Sequence, residues 1–195
     1  MNDISIESEK RTQFFRDAGP SIANGISKAF SKLTVGEITV HFISVEIYKE
    51  ISAVIEVDEK CFGSHVSVYN IEKDLKGIAF LFFPFSSISY LIEIVLKQHL
   101  DADNNISAAL KLSTFKEINN ILLSRFVTEI ANSLGIQLDT SVPVFTSFKN
   151  MKFMKQLLLA NAEITPLITV MQLDISSKPQ DSSSKKVRGR FVVIF

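Results

Sequence analysis

At 195 residues, 46% of them apolar, the chain can bury a substantial core and sits in the range of one compact domain. Lys and Arg together number 21, as do Asp and Glu, so no net field draws the protein to nucleic acid or to an acidic membrane. The single cysteine, Cys61, excludes an internal disulfide and reads as a small buried hydrophobe; with no export signal at the N-terminus, the expected compartment is a reducing cytoplasm.

Residues 1–10 are polar and predict a frayed end, whereas Phe15, Ile22, Ile26, Ala29, Phe30 and Leu33 recur at helical spacing and predict a first helix over 14–33. Pro20 falls inside that helix and predicts a kink or a fresh start there. Strand-like runs follow over 37–45, 65–71 and 78–83, in which β-branched and aromatic residues partly alternate with polar ones. The segment 77–96 approaches the length and apolarity of a membrane span, but Pro84, three serines and Glu93 divide it into a buried strand over 80–85 and a helix over 87–99. Asp101 to Asn105 reads as a hinge, and a long helix runs from there to Leu134, where Gly135 stops it. A strand over 137–145, a helix over 151–161 and strands over 164–175 and 187–195 complete the chain. The polar loop between the last two carries Lys185 and Lys186, with Arg188 and Arg190 beyond it, and this basic group reads as solubilising.

A weak internal repeat joins the halves. Gly77-Ile-Ala-Phe-Leu-Phe-Phe matches Gly189-Arg-Phe-Val-Val-Ile-Phe, and the two long helices align with Phe15 on Phe115, Asp17 on Glu117 and Pro20 on Asn120. The expected architecture is one domain over 1–195, made of pseudo-repeats over 1–100 and 101–195.

On the second long helix each residue advances by 100°, so Glu117, Asn120, Ser124 and Thr128 fall within an arc of about 80°. Leu122, Leu123, Phe126, Val127, Ile130 and Leu134 lie opposite and form the stripe expected to pack on a sheet. A carboxylate and a carboxamide one turn apart would then stand side by side facing outward. Two readings of Glu117 compete. Thr114-Phe-Lys-Glu117 also has the form of a capping box, in which Glu117 only closes a helix start. A second E-x-x-N, Glu129 to Asn132, lies on the same helix and reads as surface decoration.

The stretch Ser113-x-x-x-Glu117-x-x-Asn120-Ile-Leu, followed by a helical run, Gly135 and a strand ending near Pro143, resembles the CheC/CheX/FliY family of chemotaxis phosphatases. The resemblance is specific around 113–143 and loose elsewhere. It implies an α+β fold in which a duplicated unit forms a mainly antiparallel extended sheet, with two long helices on one side. It further implies hydrolysis of the aspartyl phosphate of a CheY-like response regulator. Asn120 would orient the attacking water and Glu117 would pair with the regulator's lysine, with Ser113, Ser124 and Thr128 completing the docking ridge. No cofactor is implied in this chain, since Mg²⁺ comes with the phosphorylated regulator. In the first half the pattern reads Gln13-x-x-x-Asp17-x-x-Pro20, which has lost the amide, so that copy is expected to be inactive. One intact copy is closer to CheX, whose homodimers the resemblance suggests for this chain too. The alternative is a non-catalytic adaptor that uses the same face to bind a regulator, a CheD-type deamidase or a flagellar switch component.

Nothing else in the chain points to chemistry. His41, His65 and His99 lack metal-ligand spacing, and no nucleotide-binding or nucleophile motif is present. The sixteen phenylalanines sit in apolar periodic runs and read as core.

Overall fold

The computed structural model describes residues 2–34, 38–48, 61–96, 107–148, 168–177 and 186–194. The described elements are α1 (Asn2–Ser31), β1 (Ile38–Tyr48), β2 (Cys61–Asn70), β3 (Leu75–Pro84), α2 (Phe85–Leu96), α3 (Ala108–Leu134), β4 (Asp139–Thr140), β5 (Val144–Phe148), β6 (Ile168–Ser177) and β7 (Lys186–Ile194). The hinge expected at 101–105 and the helix expected over 151–161 lie outside the described residues.

The helices keep their predicted stripes. Phe15, Ile22, Ile26 and Phe30 on α1, and Phe115, Leu122, Phe126 and Ile130 on α3, are all buried at helical spacing in one core shared with the strands. Leu134, assigned to that stripe, is exposed instead, because it ends the helix beyond the sheet. The frayed N-terminus is also corrected, since α1 starts at Asn2. Pro20 is exposed and does not restart the helix. The hydrogen bond its ring removes leaves a carbonyl on a turn open to water.

All strand pairs are antiparallel, in the order β1-β6-β7-β3-β2-β4, with β5 also paired to β2. The predicted strand over 137–145 is interrupted: β4 and β5 pair with different ends of β2, and the chain between them carries Pro143, which has no N–H to give a ladder. Ser141 holds the gap closed, its N–H donating to Ser67 O at 3.0 Å and its Oγ accepting from Ser67 N at 3.0 Å.

β3 and β7 meet at the centre with Phe80 opposite Val192, Ile78 opposite Ile194 and Phe82 opposite Arg190. The two heptapeptides that match in sequence are thus zipped to each other, centred on the fourth residue of each. Each half also pairs with strands of the other: β1 with β6, and β4 and β5 with β2.

The long helices cover one face of this sheet, with Val66, Leu81, Leu173 and Phe191 beneath them. A second, smaller apolar cluster on the other face contains Phe80, Val192, Val170 and Cys61, and the cysteine is buried as expected. Cross-strand pairing also revises the basic group. Arg188 donates from Nε to Asp174 Oδ1 at 3.0 Å across β6 and β7, while Arg190 is half-buried.

Candidate functional site

α3 starts earlier than a cap at Thr114 requires. Ser107 is the N-cap, its Oγ accepting from Leu110 N at 3.2 Å, and Thr114 lies two turns inside the helix. Glu117 therefore closes no helix end. At the other terminus Gly135 adopts φ 63°, and its N–H bonds back to the last turn, the left-handed ending that glycine accepts without a Cβ clash.

Between these caps, Ser113, Glu117, Ser124 and Thr128 are exposed and Asn120 is half-buried. Among the described residues, none makes a hydrogen bond or ion pair with the side chain of Glu117 or Asn120. Thr128 turns its hydroxyl onto its own helix, donating to Ser124 O at 2.9 Å, which leaves the lower ridge small and nearly uncharged. In α1 the matching Asp17 is exposed but accepts from Gln13 Nε2 at 2.8 Å, and Pro20 supplies no side-chain donor.

One residue of this helix escaped the sequence reading. Asn119, next to Asn120, is wholly buried. Its Nδ2 donates to Phe115 O at 2.9 Å, and its Oδ1 accepts from Ser64 Oγ of β2 at 3.5 Å. A polar side chain inside the apolar stripe was the available signal. Both ends of the amide are satisfied, as burial demands, and the amide pins the helix to the sheet directly beneath the candidate pair.

The second E-x-x-N is not surface decoration. Glu129 is buried where α3 crosses α1, packed over Gly25 and ion-paired with Arg125. A Cβ at position 25 would collide with the Glu129 side chain, so glycine is what lets the two helices close on this carboxylate. Sequence pattern could not separate the two motifs, because the partner helix decides which acid is covered.

The ridge is flanked by Arg125 towards α1 and by Lys116 towards β5, where the Lys116 ammonium lies 5.5 Å from the centre of the Phe145 ring. No cluster of metal-ligating side chains occurs among the described residues. Among them, no helix is long and apolar enough to cross a membrane.

The CheC-like family model matches residues 110–147, which span α3 from its first turn to β5 and contain the whole candidate ridge. No curated protein matches the sequence. In fold the chain is similar to Thermotoga maritima FliY (TM-score 0.64, 14% identity, 93% of this chain and 89% of that one). It is also similar to a chain of the FliG–FliM complex from H. pylori (0.62, 14%, 96% and 94%). CheX from Vibrio vulnificus follows (0.51, 12%, 89% and 95%). The α+β fold with its antiparallel sheet is thus shared with these proteins, and the segment 110–147 is similar to the CheC-like family.

Proposed function

We propose that the protein is a cytoplasmic phosphatase of a CheY-like phosphorylated response regulator, with Glu117 and Asn120 as its working pair. The observation that carries this reading is that both groups stand one turn apart, with no hydrogen bond or ion pair among the described residues, on a helix whose N-cap, Ser107, lies seven residues before Thr114. In the reaction, water attacks phosphorus, the bond from phosphorus to the regulator's aspartate breaks, and the products are a free carboxylate and inorganic phosphate. The regulator supplies Mg²⁺ and a lysine, so the chain need only position water and the partner. Asn120 can both donate to and accept from a water with its amide, and Glu117 fixes the register by pairing with the regulator's lysine. Positioning of this kind accounts for an acceleration on the order of a hundredfold, about 2.7 kcal/mol of barrier. Ser113, Ser124 and Thr128 keep the ridge low enough for close approach.

The test is phosphate release from phosphorylated regulator. Asn120→Ala should remove the acceleration and leave binding largely intact, whereas Glu117→Lys should weaken binding itself. Asp17→Ala should change neither, and a large loss there would place the chemistry in the first half and contradict this reading.

The adaptor reading draws on the FliY and FliM likenesses, which are higher in TM-score than that to CheX. In that reading the same ridge holds a regulator, a CheD-type deamidase or a flagellar switch component without turnover. Unchanged regulator lifetime alongside measurable binding would decide for it.

A further inference from the structure

Phe85 is out of place. The sequence assigns it to the end of a buried strand, yet it opens α2 with 59% of its surface exposed, the highest fraction of any aromatic side chain among the described residues. It is not an isolated surface residue. Its ring lies 5.6 Å from Phe62, Phe62 lies 6.4 Å from Phe145, and Phe145 packs edge-on to Phe115 at 5.7 Å. Phe115 in turn meets buried Phe83 at 6.0 Å. A continuous file of rings therefore runs from the core to the surface and ends in water at Phe85.

Lys116 ties that file to the ridge. Lys116, which covers Phe145, is the residue before Glu117 and lies on the side of the helix next to Asn120. The file thus joins an exposed ring at Phe85, through Phe62, to Phe145, which carries a cation from the residue next to Glu117. Stability does not ask for this arrangement, since an exposed phenylalanine at the start of a helix gains little over a polar residue there. Interfaces, by contrast, concentrate their energy in aromatic anchors backed by rigid packing.

We infer that Phe85, with Lys116, is the apolar anchor and charge guide by which the phosphorylated regulator docks. This rests on the proposed function for the choice of partner. A receiver that carries an acyl phosphate beside the carboxylates holding its Mg²⁺ presents a face rich in anionic oxygens, which Lys116 complements. A ring beside that face can bury apolar surface of the partner without disturbing the amide. Phe85 touches no reacting atom in this account, so its effect belongs to binding and not to turnover.

Phosphate release is measured as a function of regulator concentration, and binding of the same regulator is titrated separately. Phe85→Ala should raise the half-saturating concentration about tenfold or more while the maximal rate stays within about twofold of wild type. Lys116→Glu should raise it as well, with the effect shrinking as salt is added. Ile71→Ala, an exposed apolar truncation at the far end of β2, serves as the control and should leave both quantities unchanged. Equal half-saturation and equal affinity for wild type, Phe85→Ala and Lys116→Glu overturn the inference. If Phe85→Ala fails to fold, Lys116→Glu alone decides in the same terms. Should wild-type protein bind the regulator without speeding phosphate loss, the catalytic reading fails, while the binding titration still judges the anchor.

Discussion

Asn119 and Asn120 are neighbours with opposite environments, and the difference assigns them different work. Asn120 is half-buried with no hydrogen bond among the described residues, whereas Asn119 is wholly buried and is satisfied by Phe115 O and Ser64 Oγ. Replacing Asn119 by alanine removes two hydrogen bonds and strands a buried hydroxyl on Ser64, a cost of about 1–3 kcal/mol. Chemical denaturation should show that loss, and Asn119→Ala/Ser64→Ala should recover part of it. His65 makes a second residue-scale prediction. It is buried on β2 against Phe80, its Nδ1 has no partner, and burial holds its pKa below the ordinary 6.5. The folded state therefore favours the neutral ring. Its stabilising contribution is complete above pH 6.5 and is lost as the pH falls through the lower folded-state value. His65→Phe should flatten the decline of stability with acid, and identical acid profiles would contradict the assignment.

At the scale of elements, the crossing of α1 over α3 reverses a general preference. Glycine inside a helix is usually worth replacing, because alanine gains about 0.5–1 kcal/mol of propensity. At Gly25 the added Cβ meets the buried Glu129 side chain, which the ion pair with Arg125 holds in place. Gly25→Ala should therefore lower the melting temperature, and Gly25→Ala/Glu129→Ala should regain stability relative to Gly25→Ala alone. The long helices were legible from the 3.6-residue recurrence of Phe15 to Phe30 and of Phe115 to Ile130, because their buried stripes are continuous. The role of Glu129 was not, since a carboxylate on a helix carries no mark of whether another helix crosses it. Glu117 was ambiguous for a related reason. Thr114 to Glu117 satisfies the chemistry of a capping box, and only the earlier start at Ser107 removes it from a helix end. Phe85 was misread because apolar runs do not say where a strand stops and a helix begins.

Over the whole molecule, the strand order ties the halves together more tightly than a sequence repeat can reveal. Among the described residues β1 finds its ladder partner only in β6, and β5 only in β2, while β3 and β7 close the centre. We read the chain as one domain built from two interleaved units. Accordingly, 1–100 and 101–195 made separately should show no cooperative unfolding, and a cooperative transition in either would contradict the single-domain reading. The interleaving is also compatible with a polar ridge on α3 alone, as the proposed function requires. The shared sheet needs both helices for burial, whereas the outward residues of α1, among them Asp17 and Pro20, are released from that demand.

The most direct test of the central claim is the lifetime of the phosphoryl group on a CheY-like regulator with the protein present in substoichiometric amount. The account predicts that the lifetime shortens by roughly a hundredfold at saturation, consistent with turnover, and returns to its spontaneous value with Asn120→Ala. An unchanged lifetime with wild-type protein, or full acceleration by Asn120→Ala, would contradict it.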